Sequence, residues 1–598
     1  MDQEQEFGIP KSAQQVHDLL PMIDPSWYES EDNWIFVGQC LFNVLAQEGK
    51  VVWRNFTPRR FADSLEREWR RFEKTRYGLP ALRSIARSHS PELFEEWQID
   101  LTNKAVLNSV SETSGITEIA DIAKFLFGDV FVCSDIVNKR WWRFSGCWEQ
   151  LSGGHSFRQK FSRVLVKLYS QILPHLTVAE DRDDPQAKMI KSMRMKCVNI
   201  IKGLKDPGFK SKLMMECSEI FYVDEFEEGL DENHFLLGLP DGVLDLKTFK
   251  KRRGYPEDWI TLKMGVTYNP QKFDELRYEH PEVREVMSFF KKVLHEDELV
   301  KFSLRHKSTC LVGGNQEKWC VVYIGETAHN GKTTTQKWDK HVFGKYCGKF
   351  PLGSIVGKTL NAGTADPAQA TSKGQRLKYA DEANRNQEFN FSFIKTATGN
   401  DEIWARKLYS NGTTFTPQYT LLLLLNQLPR AGVDPAVWER FILLPHDTRF
   451  ISNPPESPEE QEATRTYKAD PFIDNRLKEL AEAYLWVLVE ELKMYLKEGI
   501  QKPKAVIDKT EVYRYKNDPY AQFVDAKVER TDRHMDYVEL NDLYIDFKAW
   551  HTGAFPKSKI PDKQLFHDEA QRVLGKTEGA EKRWYGIKVK TNIRRFDN

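Results

Sequence analysis

The chain has no excess of charge of either sign: 87 lysines and arginines stand against 87 aspartates and glutamates in 598 residues. A zero balance supplies no global field for a polyanion, so any nucleic-acid contact must come from local basic surface. Cysteine is scarce and unpatterned. The eight lie at positions 40, 133, 147, 197, 217, 310, 320 and 347, with no CxxC pair and no Cys–His group at zinc-ligand spacing. Several sit in apolar runs, as Cys320 does before Val321 and Val322, and read as reduced core thiols of an intracellular protein. Long hydrophobic runs are missing too. The five leucines Leu421 to Leu425 fall far short of the ~20 residues that span a bilayer, and the polar, acidic N-terminus is not a secretory signal. These absences predict a soluble intracellular protein with no membrane partner.

What is present is core-forming material in quantity. Sixteen tryptophans and 36 phenylalanines exclude a largely disordered chain, and 598 residues exceed what one core holds, which predicts several domains. Basic clusters occur at 50–76, 188–205 and 576–595. Each reads either as a solvated helix face or as a nucleic-acid surface. Residues 1–100 read as a small helical domain. Trp34, Val37, Leu41 and Leu45 share one helical face there, and 57–98 continue as charged amphipathic helix. Residues 101–280 mix helices with short strands at Val130–Val132 and Trp141–Trp148, and with a Pro240-Asp241-Gly242 turn. Residues 281–500 alternate strands and helices as an α/β domain does, with a surface loop at 452–465. Residues 501–598 form a last small domain with a helix at Leu540–Trp550 and a strand at Trp584–Val589.

The strongest local signal is an apolar strand, Val321 to Ile324, running into Gly325-Glu326-Thr327-Ala328-His329-Asn330-Gly331-Lys332-Thr333-Thr334. Phosphates need backbone N–H groups at close range, which suits Gly331; they need a flexible cation, Lys332; and Mg²⁺ needs a hydroxyl at a helix start, Thr333. Five residues, not the usual four, separate Gly325 from Gly331, and Glu326 stands where the first glycine is expected. A nucleotide motor also needs an acidic pair at the end of a neighbouring strand. Asp381 would hold the metal shell and Glu382 would orient the attacking water. The apolar strand ending at Leu425 brings Asn426 to the sheet's edge, where it either senses a γ-phosphate or caps a turn before Pro429. Arg406, Lys407 and the Asn411-Gly412 dipeptide read as a basic hairpin. It is either a projecting DNA contact or an ordinary solvent-facing turn. Arg440, just before the apolar run Phe441 to Leu444, could reach a neighbouring subunit's nucleotide as a trans-acting finger.

In this order the pieces resemble superfamily 3 helicases. Lys395 to Lys407 and Phe415-Thr416-Pro417-Gln418 look like the stretch before the sensor strand in poxvirus-type and giant-virus primase–helicases. Trp141 to Trp148 and Phe235 to Leu246 resemble that family's helicase-preceding domain. Asp32, Trp34, Gly38 and Leu41 are similar to its small post-primase domain. The resemblance implies an AAA+-like P-loop ATPase core, helical N-terminal domains and a C-terminal winged-helix-like DNA-binding domain. It implies a hexameric ring moving on single-stranded or forked DNA, 3′ to 5′, at the replication site of a large DNA virus in host cytoplasm or nucleus. It also implies Mg²⁺-dependent ATP hydrolysis at subunit interfaces. In those terms Lys332, Glu382, Asn426 and Arg440 are catalytic, Gly325 to Thr334 bind nucleotide, Thr333 and Asp381 hold metal, and Arg406, Lys407 and Asn411 touch DNA. The family often has two adjacent arginines where this chain has Glu439 and Arg440. Primase activity is not implied, since the roughly 100 leading residues read as helical; a separate primase or polymerase partner would do that chemistry. Two other readings are a DNA-packaging motor and a non-hydrolysing DNA-binding scaffold or loader.

Overall fold

The computed structural model describes residues 11–176, 185–325, 327–357, 366–381, 388–406, 412–429, 435–531, 533, 535–556 and 559–590; for Pro185, Gln186, Asp381, Pro435 and Ala436 the backbone alone is described. The chain divides into two compact units, 1–268 and 269–598.

In the first unit, the helix Glu31–Leu45 buries Trp34, Val37, Leu41 and Leu45 as their spacing predicts. The single helix expected over 57–98 is instead several. A 3₁₀ turn Arg59–Ser64 leads into a helix Leu65–Arg71, and new helices begin at Leu79 and Pro91. Pro80 and Pro91 lie in the first turns of those two helices, where a missing N–H costs nothing and the ring resets the chain direction. Six strands follow as two antiparallel sheets. One holds β1 (Phe131–Asp135), β2 (Arg140–Phe144) and β3 (Trp148–Leu151); the other holds β4 (Leu236–Leu239), β5 (Gly242–Asp245) and β6 (Lys250–Arg252). The Pro240-Asp241 turn joins β4 to β5, with Leu239 paired to Gly242.

The second unit is built on a five-stranded parallel sheet. In chain order its members are β7 (Cys320–Ile324), β8 (Cys347–Lys349), β9 (Leu377–Asp381), β12 (Thr420–Leu425) and β13 (Phe441–Pro445). Between β9 and β12 an antiparallel pair intervenes, β10 (Ile403–Arg406) and β11 (Gly412–Phe415). The spatial order is β13-β7-β12-β9-β8. Every residue of β7, β12 and β13 is buried, which is why these strands read as unbroken apolar runs. Register fixes where the chemistry emerges. Leu425 and Pro445 both pair with Ile324, and Leu424 pairs with Asp381. The residues that follow β7, β9, β12 and β13 therefore leave the sheet at one edge. β9 is not the immediate neighbour of β7, as the acidic-pair argument assumed, because β12 lies between them.

The segment expected as a surface loop at 452–465 contains a helix, Pro458–Thr464, held between the parallel strands β14 (Arg449–Ile451) and β15 (Thr466–Lys468). Ser457 accepts the Glu460 N–H at its start, and Glu459 and Glu460 occupy its first turn, so a Pro/Ser/Glu-rich stretch becomes a capped helix. The helix Lys504–Lys516 packs on β13, and Tyr513 belongs to the sheet's core, which thus extends beyond residue 500. The rest of the chain packs Phe523, Phe547, Phe566 and Trp584 between helices Pro519–Lys527, Leu540–Ala554 and Lys563–Leu574. Short antiparallel pairs accompany them: β16 (Val528–Arg530) with β19 (Ile587–Val589), and β17 (Tyr537–Glu539) with β18 (Arg583–Tyr585). The one strand expected at 584–589 is two, broken at Gly586, whose φ is +71°. Among the described residues no helix is long and apolar enough to cross a membrane.

Candidate functional site

β7 ends at Ile324, and the chain returns as a helix at Lys332. Two glycines make the connection possible. A β-carbon on Gly325 would collide with the Asn330 side chain and the His446 carbonyl oxygen. Gly331, at φ +83°, starts the helix from the left-handed region, and a β-carbon there would lie 2.8 Å from Val293 Cγ2. Asn330 is buried and braces the loop from within, its amide donating to the Thr327 carbonyl oxygen at 2.7 Å. The Phe450 N–H holds the other side through the His329 carbonyl oxygen at 2.8 Å.

Lys332 is buried at the first turn of the 332–343 helix. Its Nζ donates to the Gly325 carbonyl oxygen at 3.1 Å and to Asn426 Oδ1 at 2.9 Å. Both acceptors are neutral. Burial pushes the ammonium down to about 8, with the nearby charge of Asp447 opposing. Thr333 is exposed on the same turn. Among the described residues the ammonium has only these neutral acceptors, and it stands at a helix N-terminus whose first N–H groups lack intrahelical partners, an arrangement whose charge an anion would balance.

The structure thus brings Gly325, Asn330, Gly331, Lys332, Thr333, Thr334 and Asn426 together at one sheet edge, with the backbone of Asp381 ending at the same edge. Glu326, Glu382, Lys407 and Asn411 lie outside the described residues. Arg440 stands at the opposite edge. Its carbonyl oxygen accepts from the Cys320 N–H, at the start of β7 and about one strand, roughly 16 Å, from Gly325. Arg406 ends β10 and pairs with Gly412. That register leaves five residues, 407–411, between the strands, so Asn411-Gly412 is not the two-residue turn its sequence suggested; Gly412 is already strand.

Sequence reasoning missed two cavities flanking the loop. One, of about 400 Å³, borders His329, Gly331 and Thr334 and is walled by Phe289, Phe450 and Leu477. The other, of about 670 Å³, lies beside Asn426 and includes Asp447, Arg465 and Lys509. Their residues come from six separated segments, and no local pattern marks them. Among the described residues no group of three or more His, Cys, Asp or Glu side chains gathers as a metal site.

A parallel α/β sheet with a strand–loop–helix connection at its carboxyl edge is the class this unit defines. A family model described as D5 N terminal like matches residues 120–296. The chain is 28% identical to "Putative helicase L207/L206" of Acanthamoeba polyphaga mimivirus, across 88% of this chain and 56% of that one. It is 25% identical to "Putative helicase 184R" of Invertebrate iridescent virus 6, across 93% and 64%. It is 21% identical to "Putative primase C962R" of African swine fever virus (strain Badajoz 1971 Vero-adapted), across 94% and 62%. The chain is related to these viral proteins named as helicases and primases, as its motif order implied, and it spans about 56–64% of their lengths. Among solved structures it is similar to the NrS-1 C terminal region, at 11% identity and TM-score 0.31 over 52% of this chain and 76% of that one. It is also similar to JCV Helicase, at 10% identity and TM-score 0.24 over 63% and 97%.

Proposed function

We propose that this chain is a nucleoside-triphosphate-driven DNA helicase, with residues 281–500 as an AAA+-like P-loop motor and 501–598 as a winged-helix-like DNA-binding domain. The observation that carries the reading is the Lys332 ammonium, buried against neutral oxygens of Gly325 and Asn426 where a helix begins. A buried lysine so placed gains most when a polyphosphate supplies the missing negative charge. In this reading Lys332 and the N–H groups after Gly331 hold the β- and γ-phosphates, and Asn426 positions the γ-phosphate. The cavity beside His329 and Thr334 takes the nucleoside against Phe289 and Phe450. Thr333 and Asp381 would hold Mg²⁺, which supplies charge neutralisation to the departing phosphoryl group. Glu382 orients water. Arg440, a strand length from its own subunit's loop, serves the site of a neighbouring copy in a ring, the resemblance implying a hexamer. Arg406, Lys407 and Asn411 face single-stranded DNA.

The test is ATP hydrolysis by the purified chain, with and without single-stranded DNA, beside Lys332→Ala. DNA-stimulated turnover, reduced at least a hundredfold in the variant (roughly 3 kcal/mol of transition-state stabilisation), is the expected result. Turnover unchanged by the substitution would remove this assignment.

A further inference from the structure

We propose that the outer face of the β10–β11 hairpin is a seat for one nucleobase of a single strand, with Trp404 as the stacking surface and Arg406 beside it for the adjoining phosphate. This rests on the reading above and names a contact of the same hairpin.

The hairpin has two unlike faces. Ile403, Ala405 and Phe415 are buried with Ala370. Trp404, Arg406, Gly412 and Thr414 share the opposite face, since Trp404 pairs with Thr414 and Arg406 with Gly412. Trp404 is 50% exposed, the one exposed tryptophan among the sixteen, all of which lie in the described residues. Strand alternation explains why position 404 faces outward; it does not explain why the largest apolar side chain is there.

Gly412 supplies the second observation. Its lack of a side chain is required, because a β-carbon at 412 would fall within the Trp404 ring. The indole lies across the neighbouring strand at the one position that presents no side chain. One ring face is thereby backed by the hairpin, and half of the side chain is exposed. A backed aromatic face, with an arginine two residues on along the same strand face, is the arrangement that takes an unstacked base and its phosphate. Every base has a π-face, so the seat is indifferent to sequence, as a translocating strand requires.

The experiment is binding of the full chain to a fluorescent oligothymidylate and to an abasic oligonucleotide of equal length, with Trp404→Ala, Trp404→Phe and Gly412→Val. Trp404→Ala should weaken oligothymidylate binding roughly 5- to 150-fold, the span of one base–aromatic stack. The same variant should bind the abasic strand as the parent does. Trp404→Phe should keep most of the preference, and Gly412→Val, which occupies the indole's seat, should lose it. Equal affinity of the parent for both strands, no binding of either, or an equal loss on both strands in Trp404→Ala would overturn the seat. Base-dependent binding through Trp404 in a chain that hydrolyses no ATP would uphold the seat and remove the motor.

Discussion

Two buried lysines meet the same helix, 332–343, and end in opposite electrostatic states. Lys332 begins it and donates to neutral oxygens. Lys307, from the helix Asp297–Thr309, pairs with Asp339 two turns further along at 2.9 Å, with both side chains fully buried. Tyr484 donates to Asp339 Oδ1 at 2.7 Å and Tyr379 donates to Oδ2. The Phe290, Tyr323 and Tyr484 rings lie within 6 Å of the Lys307 ammonium. Burial alone would lower both lysines. At Lys307 burial is the largest single influence, but the Asp339 charge, Tyr323 and the hydrogen bonds to both together outweigh it and hold the ammonium above its ordinary value, whereas Lys332 falls to about 8. A carboxylate in contact makes the difference between a strut, complete within the fold, and a receptor that lacks its counter-charge. The strut ties the 332–343 helix to the helix Asp297–Thr309, β9 and the helix Ala481–Glu498, so the receptor's first turn stands on a fixed base.

The largest way to break this comparison is at the strut. Asp339→Ala leaves an unpaired buried charge and should cost about 3–5 kcal/mol, read by chemical denaturation. Converting both partners together, Lys307→Met with Asp339→Leu, should recover most of that loss. A cost in the single variant under 1 kcal/mol would mean the pair carries no such load. Because the folded value of Lys307 is raised, its contribution is complete below the ordinary lysine value near 10.5 and is lost only as pH rises beyond it. The strut should therefore be insensitive to pH through the neutral range.

The two lysines were not equally legible. Lys332 was found because Gly-Lys-Thr after an apolar strand is a local pattern, and β7 and β12 were found because strands buried on both faces are continuous apolar runs. Asn426 followed from its place after Leu425. Lys307 and Asp339 left no such trace. In Asp297–Thr309 and Lys332–Phe343 charged and apolar residues are mixed, and nothing local separates a buried carboxylate from a solvated one. The cavity residues Phe289 and Phe450 and the seat of Trp404 on Gly412 are likewise products of tertiary contact. The Asn-Gly pair misled for the same reason: the turn signal is local, but the register that makes Gly412 a strand residue is set across the hairpin.

A smaller and opposite effect should follow at the receptor. Lys332→Met removes a buried charge whose partners are neutral, so it should not destabilise the nucleotide-free chain and should gain on the order of 1 kcal/mol. The same substitution should abolish hydrolysis. Denaturation of Lys332→Met beside Asp339→Ala thus gives two buried charge deletions on one helix with opposite signs. A loss of several kcal/mol at both would mean that Lys332 is a structural strut as well, and the contrast would fall.

The finest distinction is in protons. With its folded value near 8, Lys332 is charged below that pH and neutral above it, while the unfolded chain keeps the charge to about 10.5. Between pH 8 and 10.5 the folded state binds fewer protons than the unfolded, so this group makes the nucleotide-free chain more stable as pH rises across that window. Nucleotide reverses the bias. A phosphate against Lys332 restores the charged form, so binding at pH 8 should take up about half a proton, and affinity should fall as pH climbs above 8. Titration calorimetry at pH 8 in two buffers of different ionisation enthalpy measures the uptake directly. It should disappear in Lys332→Arg, whose guanidinium stays charged, and persist in Trp404→Ala, whose change lies on the hairpin. Uptake that survives Lys332→Arg would assign the proton to another group and leave Lys332 charged in the empty site.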